Sequence, residues 1–223
     1  MSYGQIFPQW RAAAGPHWPA YTQHRFVQAL GDGSLPRAAF LHYLVQDYLF
    51  LIQFSRAWAL AVTKADTVQE MRHCAATVHA LIHDELPLHI GICAAAGLSE
   101  DTLFRAEERA ENLAYTRYVL DAGHAGDFLD LLAALAPCVL GYGEIGAHLL
   151  AHGGDGPYAD WIATYGGADY QALCHAVGGL IDSATMARLG DSPATTPRWP
   201  GLCKRFTTAT RLEVGFWDMG LTP

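Results

Sequence analysis

The chain has 223 residues, of which 51% are hydrophobic and 16% charged, which is enough for a sizeable core and too apolar for wholesale disorder. Fourteen Lys and Arg against 22 Asp and Glu give a net charge of −8 with no basic cluster, so the electrostatic footprint of a nucleic-acid surface is missing. The five cysteines are odd in number and form no CxxC pair, which argues against a disulfide framework or zinc knuckle and for a reducing compartment.

Ala and Leu recur at helical spacing almost everywhere, and alternating β-branched stretches are missing. Two short helices are expected around 5–13 and 18–30, closed by the Gly31-Asp32-Gly33 turn. Ser34 and Pro36 read as the start of a long helix over about 36–64. That segment is apolar on nearly every side, which predicts a central position. A second long helix over about 68–96 ends at Gly97, and Ser99 caps a short piece after it. Further helices are expected at about 108–122, 126–152, 156–165, 168–189 and 199–219, with GDSPATTPR at 190–198 as the exposed connection. No uninterrupted apolar run approaches the roughly 18 residues of a membrane span, and MSYGQIFPQWRAAAGPHW does not read as a signal peptide. The expectation is a cytoplasmic protein with one all-α domain over 1–223, its long helices packed round one core.

Three polar side chains stand where this pattern calls for core. Asp47 has Tyr43, Leu44, Phe50 and Leu51 three and four positions away, so its carboxylate is either desolvated or faces a polar cavity. Cys138 follows Pro137 in an apolar helix, with Tyr142 one turn on. A lone cysteine there is ordinarily an inert small core residue. Glu213 has Phe216 and Trp217 on its face, which would favour its acid form, although a surface pairing with Arg211 fits the spacing too. Glu70 and His73 make a single ExxH step, and His79, His83, Glu85 and His89 follow on the same predicted helix. A di-iron bundle needs two ExxH helices and two further carboxylates, so these histidines read as solvated or hydrogen-bonded and no metal is expected. GDGSLP and GYGEIG sit in no strand–turn–helix unit and make no phosphate loop.

The segments GDGSLPRAAFLHYLVQDYLFL, HDELPLH, YTRYVL, GDFLDLLAALAPCVLGYGEIG, WIATYGG and EVGFWDM, in this order and spacing, resemble the TenA family, the thiaminase II enzymes with a haem-oxygenase-like multi-helix bundle. The resemblance covers nearly the whole chain. It implies that Asp47 is the pyrimidine-binding aspartate and Cys138 the nucleophile. Tyr115, Tyr142 and Tyr165 match pocket tyrosines, and Glu213 matches the acid/base glutamate. Where many members carry a tyrosine three residues after the aspartate, this chain has Phe50, which keeps a stacking ring and lacks the hydroxyl.

The implied reaction replaces the exocyclic amine of 4-amino-5-aminomethyl-2-methylpyrimidine with water, giving the 5-hydroxymethyl compound, with thiamine split more weakly. No metal or organic cofactor is implied, no nucleic-acid or membrane partner is expected, and the family resemblance implies a homotetramer or homodimer. Two other readings stand beside this one. They are a metal- or cofactor-dependent oxidase of the same architecture, and a non-catalytic pyrimidine-binding or regulatory protein.

Overall fold

The computed structural model describes residues 2–153 and 155–223 and is helical throughout, with no strand among the described residues. The helices are α1 (Ile6–Ala14), α2 (His17–Thr22), α3 (Arg25–Gly31), α4 (Arg37–Lys64) and α5 (Val68–Ala80). They continue as α6 (Leu86–Ala95), α7 (Glu100–Phe104), α8 (Ala110–Ala125), α9 (Phe128–Ala151), α10 (Ala159–Gly166), α11 (Ala168–Leu189) and α12 (Trp199–Gly220). The all-α expectation holds, with two informative differences. The stretch 18–30 is two helices, because the chain turns extended at His24, whose ring Nδ1 accepts the Phe26 N–H and caps α3. The stretch 68–96 is α5 and α6 joined by a π-helical turn, Leu81–Glu85.

Several ends carry their caps in the sequence. Thr67 and Glu70 form a capping box at α5, Asp127 and Asp130 form another at α9, and the Ser99 side chain accepts the Thr102 N–H. Ser34 plays no such part, since Pro36 occupies the cap of α4. Arg188 on α11 binds both oxygens of Glu70, and Arg198 at the N-cap of α12 and Arg205 within it bind Asp127 and Asp130. Each capping box is thereby tied to a second helix by charge-assisted hydrogen bonds.

Helix α9 is the hub and packs against α8, α10, α11 and α12, while α4 packs against α5 and α8. By length and composition α9 could cross a membrane, with a mean hydropathy of 1.5 over its most apolar window. Of that window, 94% is buried inside the protein, so here the apolarity serves a core helix. Gly146 lets α10 approach closely, because a Cβ there would lie 2.3 Å from the backbone carbon of Tyr165. Around this hub Trp58, Trp161, Trp217, Tyr43, Tyr115 and Tyr165 are fully buried, each contributing about 1.5–3 kcal/mol or more of apolar transfer.

Candidate active site

Helix α4 brings Tyr43 and Asp47 together one turn apart. Asp47 is only 3% exposed, and its Oδ2 accepts the Tyr43 hydroxyl proton at 2.9 Å. The Tyr43 oxygen also accepts from Trp161 Nε1 at 3.4 Å and lies 3.5 Å from the Tyr142 hydroxyl. Burial and the neighbouring charge of Glu85 raise the Asp47 carboxyl well above its usual range, against the lowering effect of the Tyr43 bond.

Helix α9 runs through Pro137 and presents Cys138 and Tyr142 on one face. The Cys138 thiol is pushed up by burial and then by the carboxylates of Glu213, Glu85 and Asp47, in that order. Three acids from three separate elements are thus near enough for their charges to act on one sulfur, and the resting group is a protonated thiol.

The π-helical turn supplies the third wall. Its extra residue shifts the helical phase and brings Glu85 toward the cavity, and such turns recur at functional sites. Glu85 Oε1 accepts the Tyr165 hydroxyl proton at 2.6 Å, and that hydroxyl lies 3.5 Å from His89 Nε2. The other ring nitrogen of His89 lies 3.4 Å from Asp47 Oδ2. The distance is that of an ion pair, but burial pushes the imidazole down to about 4 and the Asp47 carboxyl up, in both cases against the charged form. Glu85 itself is raised to about 7 by burial. Glu85, Tyr165, His89, Asp47 and Tyr43 thus stand in one polar row from the π-turn to α4, interrupted at His89 Nδ1, which has no hydrogen-bond partner among the described residues.

Glu213 on α12 is 1% exposed, and its Oε1 accepts the Tyr115 hydroxyl proton at 2.8 Å. Burial raises it to about 8, with Tyr115 pulling the other way. The surface pairing with Arg211 that the sequence left open is thereby excluded. Phe50 stands beside this pair, its ring 5.1 Å from that of Tyr115 and 5.4 Å from that of Phe216.

A cavity of about 420 Å³ opens between these elements, within the range of small-molecule pockets. Asp47, Cys138, Tyr142 and Tyr165 line it, as do Glu85 from the π-turn and Tyr170 from α11. Phe50, Tyr115 and Glu213 are not in its wall and form an adjoining buried layer. The sequence offered Glu85 and His89 only as metal candidates, and Tyr43 only as a neighbour of Asp47. The four-residue steps Tyr43–Asp47 and Glu85–His89 were the available signal. Glu70, the carboxylate of the ExxH step, is occupied by Arg188 and its own capping box. The His79 and His83 rings lie 4.4 Å apart with no third ligand among the described residues.

Fold and cavity together define an all-α protein built around an aromatic-walled small-molecule site containing a thiol and acids. The chain belongs to the TENA/THI-4/PQQC family, whose sequence model matches residues 11–222, and it has that family's haem-oxygenase-like fold. It is 36% identical over 209 residues to an aminopyrimidine aminohydrolase of Halalkalibacterium halodurans, covering 92% of this chain and 91% of that one. An uncharacterized protein of Haemophilus influenzae is 40% identical over 211 residues, covering 93% and 95%. A crystal structure from Silicibacter sp. TM1040, described as a TenA family transcription regulator, superposes with a TM-score of 0.97 at 62% identity, covering 99% of this chain and 98% of that one.

Proposed function

We propose that this protein is an aminopyrimidine aminohydrolase that converts 4-amino-5-aminomethyl-2-methylpyrimidine to the 5-hydroxymethyl compound, and splits thiamine more weakly. The observation that carries the reading is the cavity itself, in whose wall Cys138 and Asp47 stand together with Glu213 buried behind them. The family and the name of the Halalkalibacterium relative support the same reaction class. The regulator description belongs to the Silicibacter protein, and a net charge of −8 without a basic cluster argues against direct DNA contact by this chain.

In this mechanism Asp47 hydrogen-bonds the amidine edge of the aminopyrimidine and favours its protonated, more electrophilic form. The Cys138 sulfur adds to an electron-poor ring carbon, its proton passing to a neighbouring carboxylate as the bond forms. A cationic ring beside the thiol offsets the burial and the neighbouring acids that otherwise keep it protonated. Glu213 gives its proton to a ring nitrogen, and the ring electrons expel the amine, which arrives protonated, as ammonia. That carboxyl, raised to about 8, still holds a proton at neutral pH. Water adds to the exocyclic carbon with Glu213 as base, and loss of the sulfur restores the aromatic ring. Tyr142 and Tyr165 enclose the ring, while Tyr115 orients Glu213 and Phe50 packs beside them.

The test is turnover of the aminomethyl pyrimidine, followed as ammonia release and hydroxymethyl product. Cys138→Ala should lower turnover about a thousandfold or more while ligand binding survives. Retention of most of the turnover by that variant would remove the nucleophile from the mechanism.

A further inference from the structure

The reaction proposed above gives roles to Asp47, Cys138 and Glu213 and leaves Glu85 without one. Yet Glu85 is the carboxylate that a change of helix type puts into the cavity wall. Its Oε1 is taken by Tyr165 at 2.6 Å, and Oε2 has no hydrogen-bond partner among the described residues. Of the three acids around the Cys138 sulfur, Glu213 lies behind the wall and is engaged by Tyr115. Asp47 accepts from Tyr43 and is assigned to the ring edge. Asp84 and Asp169 also line the cavity but are exposed, so Glu85 is left as the inner wall acid with an oxygen to offer, close enough for its charge to act on both Cys138 and Asp47. No Lys, Arg or His lines the cavity among the described residues.

Resting on the aminohydrolase reading, we propose that Glu85 is a specificity-determining residue: its free oxygen receives the protonated amine of the substrate and so discriminates the ammonium-bearing ligand from its uncharged hydroxymethyl counterpart. An ammonium offers three donors and a charge to that oxygen, whereas a hydroxyl offers one donor and no charge. The substrate is therefore held more tightly than the product that replaces it, and release follows from loss of the charge. The same wall has no cation with which to hold a phosphate ester.

The experiment measures dissociation constants by calorimetry near pH 7.5 in a Cys138→Ala background, so that ligands are bound and not consumed. The probes are aminomethyl pyrimidine, hydroxymethyl pyrimidine and hydroxymethyl pyrimidine phosphate. Glu85→Gln keeps the acceptor for Tyr165 and removes the charge. It should weaken the aminomethyl ligand about 10- to 100-fold and the hydroxymethyl ligand less than about threefold. Glu85→Asp, which keeps the charge on a shorter arm, should retain part of the preference. The phosphate ester should bind worse than its parent alcohol. Equal weakening of both unphosphorylated ligands would make Glu85 a positioning residue acting through Tyr165, and no weakening of either would leave it without a part in recognition. Either result overturns the proposal, as would tight binding of the phosphate ester. Failure of every pyrimidine to bind with Glu85 intact would instead overturn the aminohydrolase reading itself.

Discussion

Glu213→Gln should give a protein whose stability relative to the native chain depends steeply on pH. In the folded state Glu213 is sealed between α12 and Tyr115 and holds its proton up to about 8, whereas its ordinary value is 4.5. Above pH 4.5 the unfolded chain releases this proton and the folded chain does not, so rising pH favours unfolding. The contribution is fully present below pH 4.5, is lost progressively as pH rises toward 8, and is constant beyond. At about 1.4 kcal/mol per pH unit, the ceiling of the loss is about 5 kcal/mol. The glutamine variant keeps the acceptor for Tyr115 and has nothing to titrate. Its buried amide N–H groups add an offset of about 1–3 kcal/mol that does not vary with pH. Urea denaturation of both proteins from pH 5 to 9 should therefore show the variant gaining on the native chain with every step up to pH 8. The contributions of Glu85, Asp47 and His89 are common to both proteins and cancel to first order. Two parallel stability curves would refute the reasoning, because they would mean that Glu213 ionises inside the fold as readily as outside it.

Tyr43→Phe removes the hydroxyl that Asp47 Oδ2 accepts and should cost about 1–3 kcal/mol in thermal or urea denaturation, together with a loss of ligand affinity by calorimetry. Gly146→Ala drives a methyl group into the backbone of Tyr165 and should destabilise the protein by about 1–3 kcal/mol or more, with the volume of the cavity altered in a crystal structure of the variant. Arg188→Ala leaves Glu70 without its bidentate partner and should cost about 2–3 kcal/mol at neutral pH, less than a fully buried pair. Its pH signature is opposite to that of Glu213. Arg188 holds the Glu70 carboxyl below its usual range, so this stability is present at neutral pH and is lost as pH falls through the folded value. Acid titration of the native chain should show that loss and the variant should not.

The sequence revealed most of the helices because each is written in local terms. Thr67–Glu70 and Asp127–Asp130 are capping boxes, and Gly97 and Gly31-Asp32-Gly33 stop their helices. The breadth of apolar residues in 126–152 reflects the hub position of α9. Asp47, Cys138 and Glu213 stood out as polar groups misplaced in apolar patterns; Asp47 and Cys138 line one cavity, while Glu213 is buried outside its wall. What composition and spacing could not show is depth. Phe50, Tyr115 and Glu213 carry the same hydrophobic signature as wall residues, yet they sit in the layer behind, a distinction set by how α4, α8 and α12 pack. The π-turn was equally hidden, since Leu81–Glu85 itself contains no glycine or proline; the local signal was Pro87 just after it, which lacks the N–H that an ordinary helix would bond to the His83 carbonyl. The split at His24 escaped because a histidine cap has no pattern of its own.

The widened turn at Leu81–Glu85 makes chain length in this region as important as chemistry. Successive residues of an α-helix lie about 100° apart round the axis. Deleting one residue here would let the segment relax to ordinary winding and swing the acid away from the bound molecule, although every side chain the pocket needs would still be encoded. Substitutions on the exposed side at Ile82 or His83 should be absorbed easily, whereas a single-codon insertion or loss should silence the site. On the proposed role of Glu85, the selectivity of the pocket is a matter of counting as well as of composition.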